Sequence, residues 1–153
     1  MTPEDIAFME AALAEAELAA RRGEVPIGAV AVKAGEIIGR AGNRVEEKLD
    51  ATCHAEIELL RQCSATLGDW RMEEVTIYVT KEPCAMCAGA MVNARLKRVV
   101  FGLPDPRSGG CGSTALNVAA FPGMLWQVET EGGVLADAAH QLIRRFFREA
   151  RDR

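Results

Sequence analysis

The chain has 153 residues, 49% hydrophobic and 26% charged, with 18 Lys and Arg against 22 Asp and Glu and a net charge of −4. That balance excludes a disordered, fibrous or histone-like polyanion-binding chain, and it fits one domain, 1–153, large enough to bury its own core. No run approaches the ~18 continuous apolar residues of a membrane span, and Met1-Thr2-Pro3-Glu4-Asp5 is acidic where a signal peptide is basic, so the expectation is a cytoplasmic protein with no membrane partner.

Thr2-Pro3-Glu4-Asp5 reads as a helix start, with Thr2 as N-cap, Pro3 in the first turn and Asp5 closing a capping box. Ile6, Met9, Leu13, Ala16 and Ala20 then recur at helical spacing, and Arg21-Arg22-Gly23 supplies a cationic last turn and a left-handed stop. Ile27 to Lys33 and Glu36 to Gly42 read as a hairpin across Ala34-Gly35. Both faces of its first strand are apolar, Ile27, Ala29 and Ala31 on one and Gly28, Val30 and Val32 on the other, so helices should cover the sheet on two sides. A polar loop, Asn43 to Thr52, leads to a helix from His54 to Leu67 with Ile57, Leu60 and Leu67 inward and Gly68 as its stop. Val75 to Thr80 is a strand, a helix opens after Pro83 and ends near Arg95, and Arg98 to Leu103 is a second strand. That order predicts a βαβ crossover with parallel strands. Leu103 to Ser113 is a Pro- and Gly-rich loop, Leu125 to Thr130 a weaker edge strand, and Leu135 to Arg151 a closing helix. The sum is a three-layer α/β/α sandwich around a mixed sheet of about five strands.

The closing segment carries Arg144, Arg145, Arg148, Arg151 and Arg153 against Glu149 and Asp152, a basic end compatible with a nucleic-acid contact. The helix from Ala85 to Ala94 is apolar almost all round, which predicts a second covering surface, most simply another copy of the chain in a homodimer. Gly110-Cys-Gly112-Ser-Thr-Ala115 matches a dinucleotide fingerprint but follows a Pro-rich loop rather than a strand, so no nucleotide cofactor is expected.

Five cysteines, an odd number in a chain without secretion signals, point to free or metal-bound thiols rather than bridges. Cys84-Ala-Met-Cys87 follows Pro83 at a strand-to-helix junction, where i, i+3 spacing puts both sulfurs on one face of the first turn and the helix dipole favours thiolates. Alone, such a pair fits a redox motif, half of a structural zinc knuckle, or two buried cysteines by chance. His54-Ala-Glu56 narrows the choice, because two thiolates and an imidazole make three zinc ligands and leave a fourth position for water. Glu56 is then the candidate base and acid. His140, the other histidine, has no such company.

His54-Ala-Glu56 with Pro83-Cys84-Ala-Met-Cys87 resembles the H-x-E…P-C-x-x-C pattern of zinc nucleobase deaminases. Glu24-Val-Pro-Ile-Gly-Ala-Val30, Asn43-Arg44, Glu82-Pro-Cys-Ala-Met-Cys-Ala-Gly-Ala-Met91, Arg98-Val-Val-Phe-Gly102 and Gly112-Ser113 extend the resemblance over nearly the whole chain. Together they are similar to the bacterial tRNA-specific adenosine deaminases. The resemblance implies a cytidine deaminase-like fold, one Zn²⁺ per chain on His54, Cys84 and Cys87, and Glu56 as proton shuttle. It implies conversion of adenosine to inosine at the wobble position of a tRNA anticodon. By the same resemblance Asn43 contacts the base, Ile27, Gly28 and Ala29 form the pocket wall, and Asp105 and Arg107 lie near the ribose and its phosphate. Phe146 and Arg148 belong to the closing helix that meets the RNA.

Ala51, Cys53 and Lys81 depart from the family pattern, which has proline, alanine and an aliphatic residue there. Cys53, Cys63 and Cys111 read as packing residues. Two other functions fit the same residues. One is a deaminase of free guanine, cytosine or a nucleoside on this architecture, which would not need the arginine-rich end. The other is a thiol redox or zinc-stabilised binding module, which would not need His54 and Glu56 as a pair.

Overall fold

The computed structural model describes residues 1–152, which form five helices and five strands. Helix α1 (Pro3–Arg21) starts with the expected capping box: the Asp5 amide donates to Thr2 Oγ1 at 3.0 Å and the Thr2 amide to Asp5 Oδ2 at 3.2 Å. It stops at Gly23, whose φ of 84° suits a residue without Cβ. Strands β1 (Gly28–Lys33) and β2 (Glu36–Gly42) form the hairpin, with Ala34 and Gly35 both at positive φ as a two-residue turn requires.

Strand β3 (Val75–Lys81), helix α4 (Ala85–Asn93) and strand β4 (Arg98–Leu103) form the expected crossover, with β3 and β4 parallel. With a short last strand β5 (Glu129–Glu131), the sheet order is β2-β1-β3-β4-β5, antiparallel across β1 and parallel from β3 outward, so the sheet is mixed. β1 is buried on both faces as its composition predicts. Ala29 and Ala31 join the core beneath helix α3 (Ala55–Leu67) and α4, with Leu59, Ala88 and Met91. Val30 and Val32 join the core beneath α1, with Met9, Ala12, Tyr78 and Val100. Helix α5 (Ala136–Arg151) packs beside α1, burying Ala139 and Leu142.

Four details differ from the sequence expectation. The buried stripe of α1 is Met9, Ala12, Ala16 and Ala19 rather than the larger Leu13. The reason is proximity: a Cβ at Gly28 would run into the α1 backbone at Ala12 and Ala16, so helix and strand meet where side chains are smallest. α3 buries Ala55, Leu59 and Cys63, while Leu60 and Leu67 pack at the core margin and Ile57 is only half-buried. The polar loop contains a one-turn helix α2 (Val45–Lys48), its Glu46 and Glu47 amides held by Glu24. The last strand, β5 (Glu129–Glu131), is shorter and later than Leu125 to Thr130, since Val128 turns into the core and its amide bonds Ala119. Among the described residues no helix is long and apolar enough to cross a membrane.

Candidate active site

Register brings the predicted residues together. Gly28 faces Gly42 and Ala29 faces Val79, so Ile27, Asn43 and Lys81 sit together at one end of the strands, and the partner of Lys81 across β3–β4 is Leu103. At that end the chain enters α3 through His54 and α4 through Cys84, each the N-cap of its helix. The positive end of both dipoles thus points at the site, favourable for thiolates and for a carboxylate in the first turn.

His54, Cys84 and Cys87 each offer a ligand atom, and these atoms all lie within 4.8 Å of one another. Zinc bonds of about 2.3 Å to sulfur and about 2.0 Å to nitrogen, at a tetrahedral angle, set S and N about 3.5 Å apart. The observed separations from His54 Nδ1 are 3.7 Å to Cys84 Sγ and 3.5 Å to Cys87 Sγ. The donor set therefore fits a zinc-sized cation. The hydrogen bond from Cys87, with help from His54, holds the Cys84 thiol down at about 4. Cys87 is displaced upward by the same bond and by burial, so the pair sheds its first proton well below neutral pH. His54 is raised, mainly by Cys84.

Glu56 follows His54 by two residues in the first turn of α3 and is 4% exposed. Burial pushes its carboxyl up to about 7, and the charge of Cys84 adds to the effect. A group raised in this way both accepts and releases a proton near neutral pH.

Above these residues lies a cavity of about 140 Å³, walled by Ile27, Asn43, His54, Glu56, Cys84 and Asp105. Asn43 is 8% exposed; its Oδ1 accepts from the Val45 amide at 3.1 Å, and its amide nitrogen donates to nothing among the described residues. Asp105 Oδ2 accepts from the Ser108 hydroxyl at 2.8 Å and lies 3.3 Å from Lys81 Nζ. Burial alone would raise the Asp105 carboxyl, but Ser108 and the amides of Arg107 and Ser108 outweigh it and hold it at about 2.

Not every predicted residue reaches the cavity. Gly28 and Ala29 are enclosed in the sheet behind Ile27, the Gly28 amide bonding Thr80 Oγ1 at 3.2 Å. Arg107 is exposed and touches Asp105 through its amide at 3.0 Å. Phe146 and Arg148 line grooves between α1 and α5 that share no residue with the cavity, and Arg153 lies outside the described residues. Lys81, Glu82 and Ser108, which sequence reasoning left without a role, do line it. Two charged residues ending a buried strand, just before Pro83-Cys84, were the available signal for the first two. Cys53, Cys63 and Cys111 are buried, and burial pushes Cys63 up to about 11 and Cys111 up to about 12, as inert packing thiols require.

The family model described as MafB19-like deaminase matches residues 4–151. The chain is 44% identical over 151 residues to the tRNA-specific adenosine deaminase of Bacillus subtilis, covering 99% of this chain and 92% of that one. The chain belongs to the tRNA-specific adenosine deaminase family. The family member from Agrobacterium fabrum is 42% identical over 94% of both chains. A solved structure from studies of A-to-I editing by tRNA:A34 deaminases at the wobble position superposes with a TM-score of 0.84 at 40% identity. The match covers 89% of this deaminase and 98% of that chain. A guanine deaminase from Nitrosomonas europaea has a TM-score of 0.80 at 23% identity, a likeness of fold alone.

Proposed function

We propose that this protein hydrolyses adenosine to inosine at the wobble position of a tRNA anticodon, using a zinc ion held by His54, Cys84 and Cys87. One observation carries the reading: three ligand atoms of the right spacing and a buried carboxylate share one small cavity, in a chain 44% identical to a tRNA-specific adenosine deaminase.

A zinc ion there supplies the Lewis acidity that makes water a nucleophile at neutral pH. The rest is done by the chain. Glu56 takes a proton from the attacking water and delivers it to the ring nitrogen beside the reacting carbon. It then carries the second proton to the departing amine, so that adenosine and water become inosine and ammonia. Asn43, fixed through its oxygen, presents its free amide nitrogen to an acceptor on the base, and Ile27 packs on the base face. A cavity of about 140 Å³ is enclosed enough to require that the nucleotide leave its stack and enter alone.

An RNA substrate is supported by α5, where Arg144, Arg145, Arg148 and Arg151 take part in no ion pair among the described residues. They are free to meet phosphates. The protein works in the cytoplasm, where tRNA is modified, and as a homodimer. A shallow apolar surface formed by Leu60 on α3, Trp70 in the turn after it, Ala90 on α4 and Ala94 at its C-cap supports the dimer. The deciding experiment measures inosine formation on anticodon stem-loops, with and without a chelator, beside free adenine, adenosine, guanine and cytosine. Deamination of a free base with none of the stem-loop would replace this reading by the nucleobase one.

A further inference from the structure

Asp5, Glu24, Glu56 and Glu82 are carboxylates with 4% exposure or less. Asp5 is paired with Arg98, Glu56 faces the cavity and Glu24 caps α2. Glu82 has no ion-pair partner among the described residues. Instead its Oε1 accepts from the Asp105 amide at 2.9 Å, and its Oε2 from the amides of Cys111 at 3.0 Å and Ser113 at 3.2 Å. A carboxylate out of water is costly unless its oxygens are bonded, and here one loop supplies all three donors.

That loop is wrapped tightly around the side chain. The Glu82 amide donates to Leu103 O at 2.9 Å and the Gly110 amide to Pro83 O at 2.8 Å, while Gly109 bridges to Cys84. A Cβ at Gly109 would run into the Glu82 carboxyl, and one at Gly110 would come within 3.0 Å of the Cys84 and Ala85 backbone. The same loop carries Asp105 and Ser108 into the cavity wall.

We propose that Glu82 is a positioning residue for substrate binding. Its two oxygens are turned to the loop amides, and it fixes residues 105–113 so that Asp105 and Ser108 form a rigid wall for the bound nucleotide. The inference rests on the deaminase reading above and deepens it. Fixing a wall before the substrate arrives removes an ordering cost from binding and leaves the proton transfers of Glu56 alone.

Two variants test this from opposite sides. Glu82→Gln keeps the shape but turns one oxygen into a donor, which must face at least one loop N–H whichever way the amide lies. Facing Asp105 gives up one bond and facing Cys111 and Ser113 gives up two, so the Asp105 end is released. Gly109→Ala keeps the carboxylate and pushes the loop from its own side. Steady-state kinetics on an anticodon stem-loop are read with zinc per chain and the melting temperature. Both variants should raise KM about tenfold, with kcat within about threefold and zinc content at the parental level, the pattern of lost uniform binding. A KM within about twofold of the parent in both variants overturns the proposal. So does joint loss of kcat and zinc at unchanged KM, which would assign Glu82 to the Cys84–Cys87 turn. A parent that leaves the stem-loop unmodified overturns the functional reading, whereas a normal parent beside variants of parental KM overturns this proposal alone.

Discussion

Replacing Asp5 by Asn should destabilise the protein without touching its cavity, because the carboxylate joins α1 to the middle of the sheet. Its side chain is 3% exposed and accepts four hydrogen bonds: Arg98 Nη1 at 3.0 Å, Arg98 Nη2 at 3.2 Å, Tyr78 OH at 2.8 Å and the Thr2 amide at 3.2 Å. If Asn keeps its oxygen at Oδ1, the new amide sets a donor against both Thr2 N–H and Arg98 Nη2. Two bonds and the charge are lost. Hydrogen bonds to charged groups contribute about 1.5–3 kcal/mol each, and breaking a buried pair costs about 3–5 kcal/mol. Arg98 keeps Glu131 and Glu129 nearby, which places the expected loss at the lower end, about 3 kcal/mol. For a chain of this size that lowers Tm by roughly 6–12 °C.

The pH dependence is a second readout. The bond from Arg98 and, after it, that from Tyr78 hold the Asp5 carboxyl well below the usual carboxylate range despite burial. Because the folded value is depressed, the stabilisation is complete above about pH 4 and is lost as pH falls toward the folded value. Urea titrations of parent and variant should therefore differ by about 3 kcal/mol from pH 5 to 7 and converge below about pH 4. A gap under about 1 kcal/mol at pH 7, or one of equal size at pH 2.5, would refute the reasoning.

Glu56→Gln should retain about one zinc per chain by elemental analysis yet lose turnover by about 10²–10⁴, and undiminished turnover would remove Glu56 from the proton transfers. Gly28→Ala forces a methyl into the α1 backbone at Ala12 and Ala16, so a stability loss of about 2–3 kcal/mol, read as a lower urea midpoint, is expected. An unchanged midpoint would mean that α1 is free to shift. Neutralising Arg144, Arg145 and Arg148 one at a time should each lower the salt dependence of stem-loop binding by about one unit of slope, and an unaltered slope would take α5 out of the RNA contact.

Much of the fold is legible in the sequence because burial leaves periodic traces. The two-sided apolar pattern of Ile27 to Val32 predicts a doubly covered strand, and Ala29 and Val30 do enter opposite cores. Sequence order alone predicts the parallel pairing of β3 and β4. Size misleads where backbone approach decides: α1 buries alanines over Gly28, although Leu13 would bury more surface. The edge strand expected from Leu125 begins only at Glu129 because its register is set by Lys97, whose carbonyl accepts the Glu129 amide at 3.2 Å, a pairing that local composition does not encode.

At the site, the triad and Glu56 were readable because ligand chemistry restricts residue type and spacing. Ile27, Asn43 and Asp105 came from family resemblance, and their meeting depends on strand register that no single segment contains. Ser108, a serine in a loop, leaves no pattern of its own, and Glu82 is marked only by standing beside Lys81 at the end of a buried strand, which does not tell that its carboxylate binds backbone amides.

The two borders of the sheet have a consequence for association. β5 is three residues long and acidic at both ends, and on β2 the Arg40 amide is already taken by the Gln62 side chain at 2.7 Å. A ladder break lies between Ala31 and Val32 of the same hairpin. Short, charged and interrupted margins are poor templates for adding further strands, which protects a concentrated solution from growth by edge-to-edge polymerisation. Self-association of this chain is thereby steered to its helical surfaces.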